Sequence, residues 1–175
     1  YDIALKTDGV DLTGTFRIML EGYSGNAIRE YKDKNTEAEF KNKLKSYLEH
    51  NLNNQTVSHI ISEIYNDNVI VKGNLTIKGK YYSGNDQSEF LFIDFLPSLF
   101  NLDTKASTIK NETFLGQTIE KKISVKVDYG RTVLLKNYIP FTVQNNGLSC
   151  SLSCKQFSDQ AVGIEYNFRY EKIWI

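Results

Sequence analysis

Two cysteines stand four residues apart in Leu148-Ser-Cys-Ser-Leu-Ser-Cys154, and they are the only two in the chain. A thiol pair can ligate a metal, cycle as a disulfide or supply a nucleophile. The pattern around these two points elsewhere. Leu148, Cys150, Leu152 and Cys154 alternate with serines, a period of two that belongs to an extended strand with one face turned inward. Four residues of strand cover about 13 Å at ~3.3 Å each. A disulfide needs Cα atoms closer than about 7 Å, so the pair cannot bridge along a regular strand. Reduced cysteine packs as a small hydrophobe, and that is the role the spacing predicts.

The other reactive side chains offer no partner. His50 falls in the last turn of a predicted helix, where the dipole favours a cation. His59 lies in the strand-like run Val57-Ser-His-Ile-Ile-Ser62. Neither has a Cys or His at metal-ligand spacing, and neither cysteine is near a helix start that would stabilise a thiolate. No glycine-rich phosphate loop occurs. Glu89 and Asp94 fall on opposite faces of their strand and cannot converge. Asp94, set among Phe90, Phe92 and Leu96, is the acid on which an enzyme would have to be built. The expectation is therefore no catalytic, metal or cofactor residue. Three sequons, at Asn54, Asn74 and Asn111, matter only in a glycosylating secretory context. Tyr81, Tyr82, Tyr138 and Trp174 are the candidate ligand-binding residues under a second reading, a carbohydrate-binding or adhesion module in which exposed rings stack on sugar faces.

Composition narrows the partners. Twenty-one basic and 21 acidic side chains cancel, so the basic excess of a nucleic-acid binder is missing. The densest basic stretch, Lys105 to Lys136, is spread along strand-like sequence and reads as solvated strand edges. No apolar run reaches the ~18 residues of a membrane span. The chain opens directly on an apparent strand, Tyr1–Lys6, as expected of a segment cut from a longer protein.

The elements that must position these residues are mostly strands. Aromatics make up 13% of the chain, which favours sheet cores. Asp8-Gly9 predicts a hairpin turn. After it Leu12, Phe16, Ile18 and Leu20 share one face, with Gly14 marking a bulge or close approach. Helical composition follows from Ala27 to Lys32, and Thr36-Glu-Ala-Glu39 forms a capping box ahead of Phe40, Leu44, Tyr47 and Leu48 at helical spacing. Val57–Tyr65 and Val69–Lys78 predict a second hairpin, and Tyr81-Tyr82 with 89–95 a third. Ile123, Val125 and Val127 alternate; Pro140 places 131–143 at an edge or in two pieces; the cysteine run and Val162–Tyr170 make the last pair. The pattern predicts a mainly β (α+β) domain, an antiparallel β-sandwich or open barrel with a helix or helical hairpin at about residues 25–50 packed on it. At 175 residues it is expected to be one domain, with 1–110 and 111–175 as the natural subdomains.

In order, these segments resemble the β-rich C-terminal domain that follows the catalytic domain of bacterial transglutaminase-like proteins. The run Leu12–Glu30 resembles its start, with Gly22, Ala27 and Arg29 at the strand-to-helix junction. The helix, the strand from Thr56, "DFLP" (94–97) and "ISVKV…YIPFTV" (123–143) follow in the same order over nearly the whole chain. The resemblance implies a non-catalytic accessory domain, periplasmic, secreted or at the cell surface. Its partner would be the adjacent transglutaminase-like domain of the same or another protein. The family's Cys-His-Asp machinery would lie upstream of Tyr1, and none of it maps onto Cys150, Cys154, His50 or His59.

Overall fold

The computed structural model describes residues 1–52, 55–65, 68–79, 81–83, 89–91, 119–135, 139–145 and 147–171; at Tyr23, 81–83, 89–91 and 119 it describes the backbone alone. The chain starts with a hairpin, β1 (Asp2–Asp8) and β2 (Asp11–Leu20). Asp8 pairs with Asp11, so the loop is Gly9-Val10, one residue later than Asp8-Gly9, and Gly9 supplies the positive φ of 61°. Two helices follow, α1 (Gly22–Lys34) and α2 (Glu37–Asn51). The capping box forms: Thr36 Oγ1 accepts from the Glu39 N–H at 3.3 Å, and the Glu39 carboxylate accepts from the Thr36 N–H at 2.9 Å. Then come β3 (Thr56–Tyr65), β4 (Asn68–Ile77), the short pair β5 (Tyr81–Ser83) and β6 (Glu89–Leu91), β7 (Ile119–Asp128), β8 (Phe141–Asn145), β9 (Leu148–Ser158) and β10 (Ala161–Tyr170).

Eight strands make one sheet in the order β3-β4-β2-β1-β7-β10-β9-β8, and β5-β6 make a separate two-stranded ribbon. The mainly β class and the helical hairpin packed on the sheet agree with the sequence pattern. One neighbouring pair, β1 with β7, runs parallel, which makes the sheet mixed; its register sets Ile3 beside Val125 and Leu5 beside Val127. A parallel neighbour needs a long crossover, and more than a hundred residues separate these two strands in sequence.

Strand alternation sorts the side chains into two faces. On one, Ile3, Leu5, Leu12, Phe16, Ile18, Leu20, Val71, Leu75, Val125, Val127 and Ile164 are buried in a common core. Phe40, Leu44 and Leu48 of α2, one helical stripe, are buried in the same core, while Tyr47 at the stripe's edge stays partly open. Each such side chain contributes about 1.5–3 kcal/mol by leaving water. The other face bears Asp2, Ala4, Lys6, Thr13, Thr15 and Arg17 on the first two strands. Gly14 marks the predicted close approach, since a Cβ there would collide with the Ala4 carbonyl. Pro140 immediately precedes β8, an edge strand, where no ladder hydrogen bond is lost.

Two substitutions test this packing in urea unfolding. Leu44→Ala should lower stability by about 2–5 kcal/mol through the cavity it opens. Thr36→Ala should cost about 1 kcal/mol through the lost cap. Equal, small effects at both positions would contradict a helix docked by its apolar stripe.

Candidate functional site

The thiols lie where the period of two puts them. Cys150 pairs with Val143 and Phe168, Cys154 with Ile164, and both are half-buried, reduced and packed against the core together with Leu148 and Leu152. The Cys150 thiol donates to the Tyr166 hydroxyl at 3.3 Å. Burial pushes the Cys154 thiol up from its ordinary pKa. Burial, and then the Cys150 hydrogen bond, push the Tyr166 phenol up strongly as well. Both shifts hold the groups neutral, the reverse of what a nucleophile needs. The imidazoles are far off. His59 is on β3, six strand spacings from β9, or about 29 Å across the sheet at ~4.8 Å each. His50 is exposed in the last turn of α2, a helix that packs against β3. Among the described residues no group of three His, Cys, Asp or Glu side chains could hold a metal ion, and no helix is long and apolar enough to cross a membrane.

The aromatic candidates divide. Tyr81 and Tyr82 are consecutive in β5, their backbones paired with Leu91 and Phe90 of β6. Tyr138 and Trp174 lie outside the described residues, as do Asp94, Asn54 and Asn111. Glu89 opens β6. Asn74 is exposed in β4, where its amide nitrogen is 3.3 Å from His59 Nδ1. Of the basic stretch, Lys122 is ion-paired with Glu120 at 2.8 Å, and Lys126 faces the site described next.

That site is an open trough of about 600 Å³ across the face of the sheet opposite α1 and α2. Ala4, Thr15 and Ser124, from β1, β2 and β7, form its floor with small side chains. Arg17, Lys72 and Lys126 stand along it, and Asp2 is the carboxylate of its lining. Arg17 is 3.4 Å from Asp2, and Lys72 reaches both carboxylate oxygens of Glu63 at 2.9 Å. At one end is the ring of Phe157. A register shift in the β9–β10 pairing at Ala161/Val162 accommodates it, and its ring edge comes so close to Gly163 that a Cβ there would sit 2.9 Å away. The ammonium groups of Lys126 and Lys155 lie 5.9 and 5.4 Å from the centre of this ring. At the other end, a bulge in β3 between Ser58 and Ile61 presents His59 and Ile61. His59 adopts a φ of 50°, a left-handed conformation that costs a non-glycine residue about 1 kcal/mol or more. A smaller hollow of about 260 Å³ continues the trough past Lys6, Thr13 and Asp128.

Sequence reasoning missed this site. Its residues come from six strands and meet only through the sheet register. The one available sign was the row of small and polar side chains, Ala4, Thr13 and Thr15, on strands whose other face is mostly apolar. No family model matches the chain, no curated protein matches it, and no solved structure matches it.

Two measurements check the electrostatics. Tyr1 is pushed up to about 12, mainly by burial, and Tyr47 and Tyr166 are raised for the same reason. Unfolded phenols ionise near pH 10, so above about pH 10 the native state holds more protons than the unfolded one. Stability should be intact below about pH 10 and fall as pH rises through the folded values, with a smaller fall in Tyr166→Phe. A urea midpoint that stays flat to about pH 11.5 would contradict this. At about pH 8 the Cys154 thiol should alkylate with iodoacetamide more slowly than in the urea-unfolded chain.

Proposed function

We propose that this chain is a non-catalytic binding domain that holds a partner polypeptide in the trough on the bare face of its sheet. The observation that carries the reading is the trough's construction: a floor of small side chains, three cations along it, and a ring at one end. Its volume is within the range of ligand sites, and its open form suits an extended segment more than an enclosed small molecule. Three cations against the carboxylates of Asp2 and Glu63 leave a positive balance, so the complementary segment carries acidic residues. Its apolar side chains would meet Ala4, Ile61 and Phe157.

The order of segments along the chain supports a wider setting for this role. In it the chain is an accessory domain of an exported bacterial transglutaminase-like protein, periplasmic or at the cell surface. The trough then holds a segment of the adjacent catalytic domain or of that domain's substrate. The half-buried thiols, that of Cys150 hydrogen-bonded to Tyr166, fit a domain that makes contacts and leaves bond-making to its neighbour.

The test uses a fluorescein-labelled peptide of alternating Glu and Val, followed by fluorescence anisotropy. Lys126→Glu should weaken binding about tenfold, the effect of one lost charge contact of ~1.4 kcal/mol. Ala4→Trp, at an exposed position on the floor, should weaken it at least as much by filling the trough without changing its charge. An alternating Lys and Val peptide should bind the wild type poorly. Equal affinity in all three proteins, or no preference for the acidic peptide, overturns the proposal.

A further inference from the structure

The two edges of the eight-stranded sheet are built differently. At β3 the edge is interrupted by the bulge at Ser58–Ile61, by the left-handed His59 and by Glu63 with its lysine partner. Bulges and charges are the usual protection against unwanted strand pairing. At the opposite edge β8 has neither. Its sequence, Phe-Thr-Val-Gln-Asn, contains no charged residue, all five residues are exposed, and its pairing with β9 runs without a register shift. Leu134, Ile139, Phe141 and Val143 are exposed large hydrophobics in this one stretch of chain. An exposed, regular, uncharged strand edge is a template for another strand.

The register says which ladder groups are free. The Glu171 N–H donates to the Gly147 carbonyl at 2.7 Å, so odd-numbered residues of the strand entering β9 turn their backbone groups toward β10. Even-numbered residues of β9 therefore turn theirs toward β8. Their partners are Asn145 for Leu148, Val143 for Cys150 and Phe141 for Leu152. Asn145, Val143 and Phe141 thus use their backbone groups within the hairpin, and Thr142 and Gln144 point theirs outward. Among the described strands nothing pairs with them.

We infer that β8 is a homodimerisation edge, pairing antiparallel with β8 of a second copy about a two-fold axis through Val143. In that register Thr142 lies opposite Gln144 of the other copy, and Gln144 opposite its Thr142. The four outward N–H and C=O groups on each strand are then all satisfied, giving four new hydrogen bonds. Val143 meets its own counterpart at the axis in a non-hydrogen-bonded position, where Cα atoms approach to about 4.5 Å. A second copy is the occupant the edge fits because it is self-complementary: with no charge on β8, apposing it to itself brings no like charges together. The hydroxyl of Thr142 and the amide of Gln144 become cross-strand neighbours. Phe141 and Val143 share a face with Cys150 and Leu152, so pairing extends an apolar strip from one sheet into the next. The result is a continuous sheet with the two troughs on its bare face, an arrangement independent of what the troughs hold. Five-residue strands bury less than the ~1,200 Å² of a tight interface, so the association is weak and concentration-dependent.

Analytical ultracentrifugation of the intact chain from about 1 µM to about 500 µM should show a monomer–dimer equilibrium. Val143→Lys puts two like charges at the axis and should raise the dissociation constant at least tenfold. Gln144→Pro deletes an outward N–H and leaves the hairpin's own bonds in place, so it should do the same with unchanged circular dichroism. In a Cys150→Ser, Cys154→Ser background, oxidised Val143→Cys should form a covalent dimer and Thr142→Cys should not. The first sets two Cα atoms within disulfide range and the second does not. A monomer at every concentration overturns the inference. Equal cross-linking from both positions overturns it as well.

Discussion

Everything in this molecule turns on the pairing of β1 with β7. Four antiparallel strands lie to one side of that seam, β3-β4-β2-β1, and four to the other, β7-β10-β9-β8. The first half carries the helices and most of the trough's lining, and the second completes it with Ser124, Lys126 and Phe157. Joined, they align Ile3 with Val125 and Leu5 with Val127 on the buried face, and these residues carry the core from one half to the other. The same register aligns Asp2 with Ser124 and Ala4 with Lys126 on the bare face, which is the middle of the trough. Burial on one face and binding on the other are two consequences of a single alignment, because alternate residues of a strand cannot change faces independently.

The seam also explains how local features acquire distant partners. A glycine opposite Lys126, Gly163, makes room for the Phe157 ring, and the ring in turn holds Lys126 by a cation–π contact. On the other side, the bulged His59 sits beside Asn74, and Lys72 is fixed by Glu63 on the neighbouring strand. The trough's charges are thus tethered by contacts made within each half, while its floor is shared between the halves. Surface ion pairs of this kind add little to stability, so these contacts matter mainly for where the cations stand.

What could be read in the sequence was local. The capping box at Thr36–Glu39, the stripe Phe40, Leu44 and Leu48, the alternation at Ile123, Val125 and Val127, and the inward-facing thiols all follow from periods of 3.6 or 2. The edge position of β8 could be read from Pro140, because proline removes one ladder donor. The Gly9 turn was displaced by one residue because either Asp8-Gly9 or Gly9-Val10 can place a positive φ there, and only the cross-strand register decides between them. The parallel seam had no local sign: β1 and β7 each look like ordinary half-buried strands, and no periodicity reports which of several strands will be a neighbour. The trough depends on the seam, so it was hidden too. Lys126 shows the limit well. In sequence it is one lysine in a basic, strand-like stretch that reads as a solvated edge; in the sheet it lies near the centre, against an aromatic ring.

Native-state hydrogen exchange measures the seam most directly. If the eight strands are one cooperative sheet, the amides of β1 and β7 are protected together and open with the same free energy as β2 and β10 on either side. Two separate opening free energies, one for β1–β4 and a lower one for β7–β10, with β1 and β7 exchanging as edges, would contradict the account. The trough floor would then have no fixed shape to bind with.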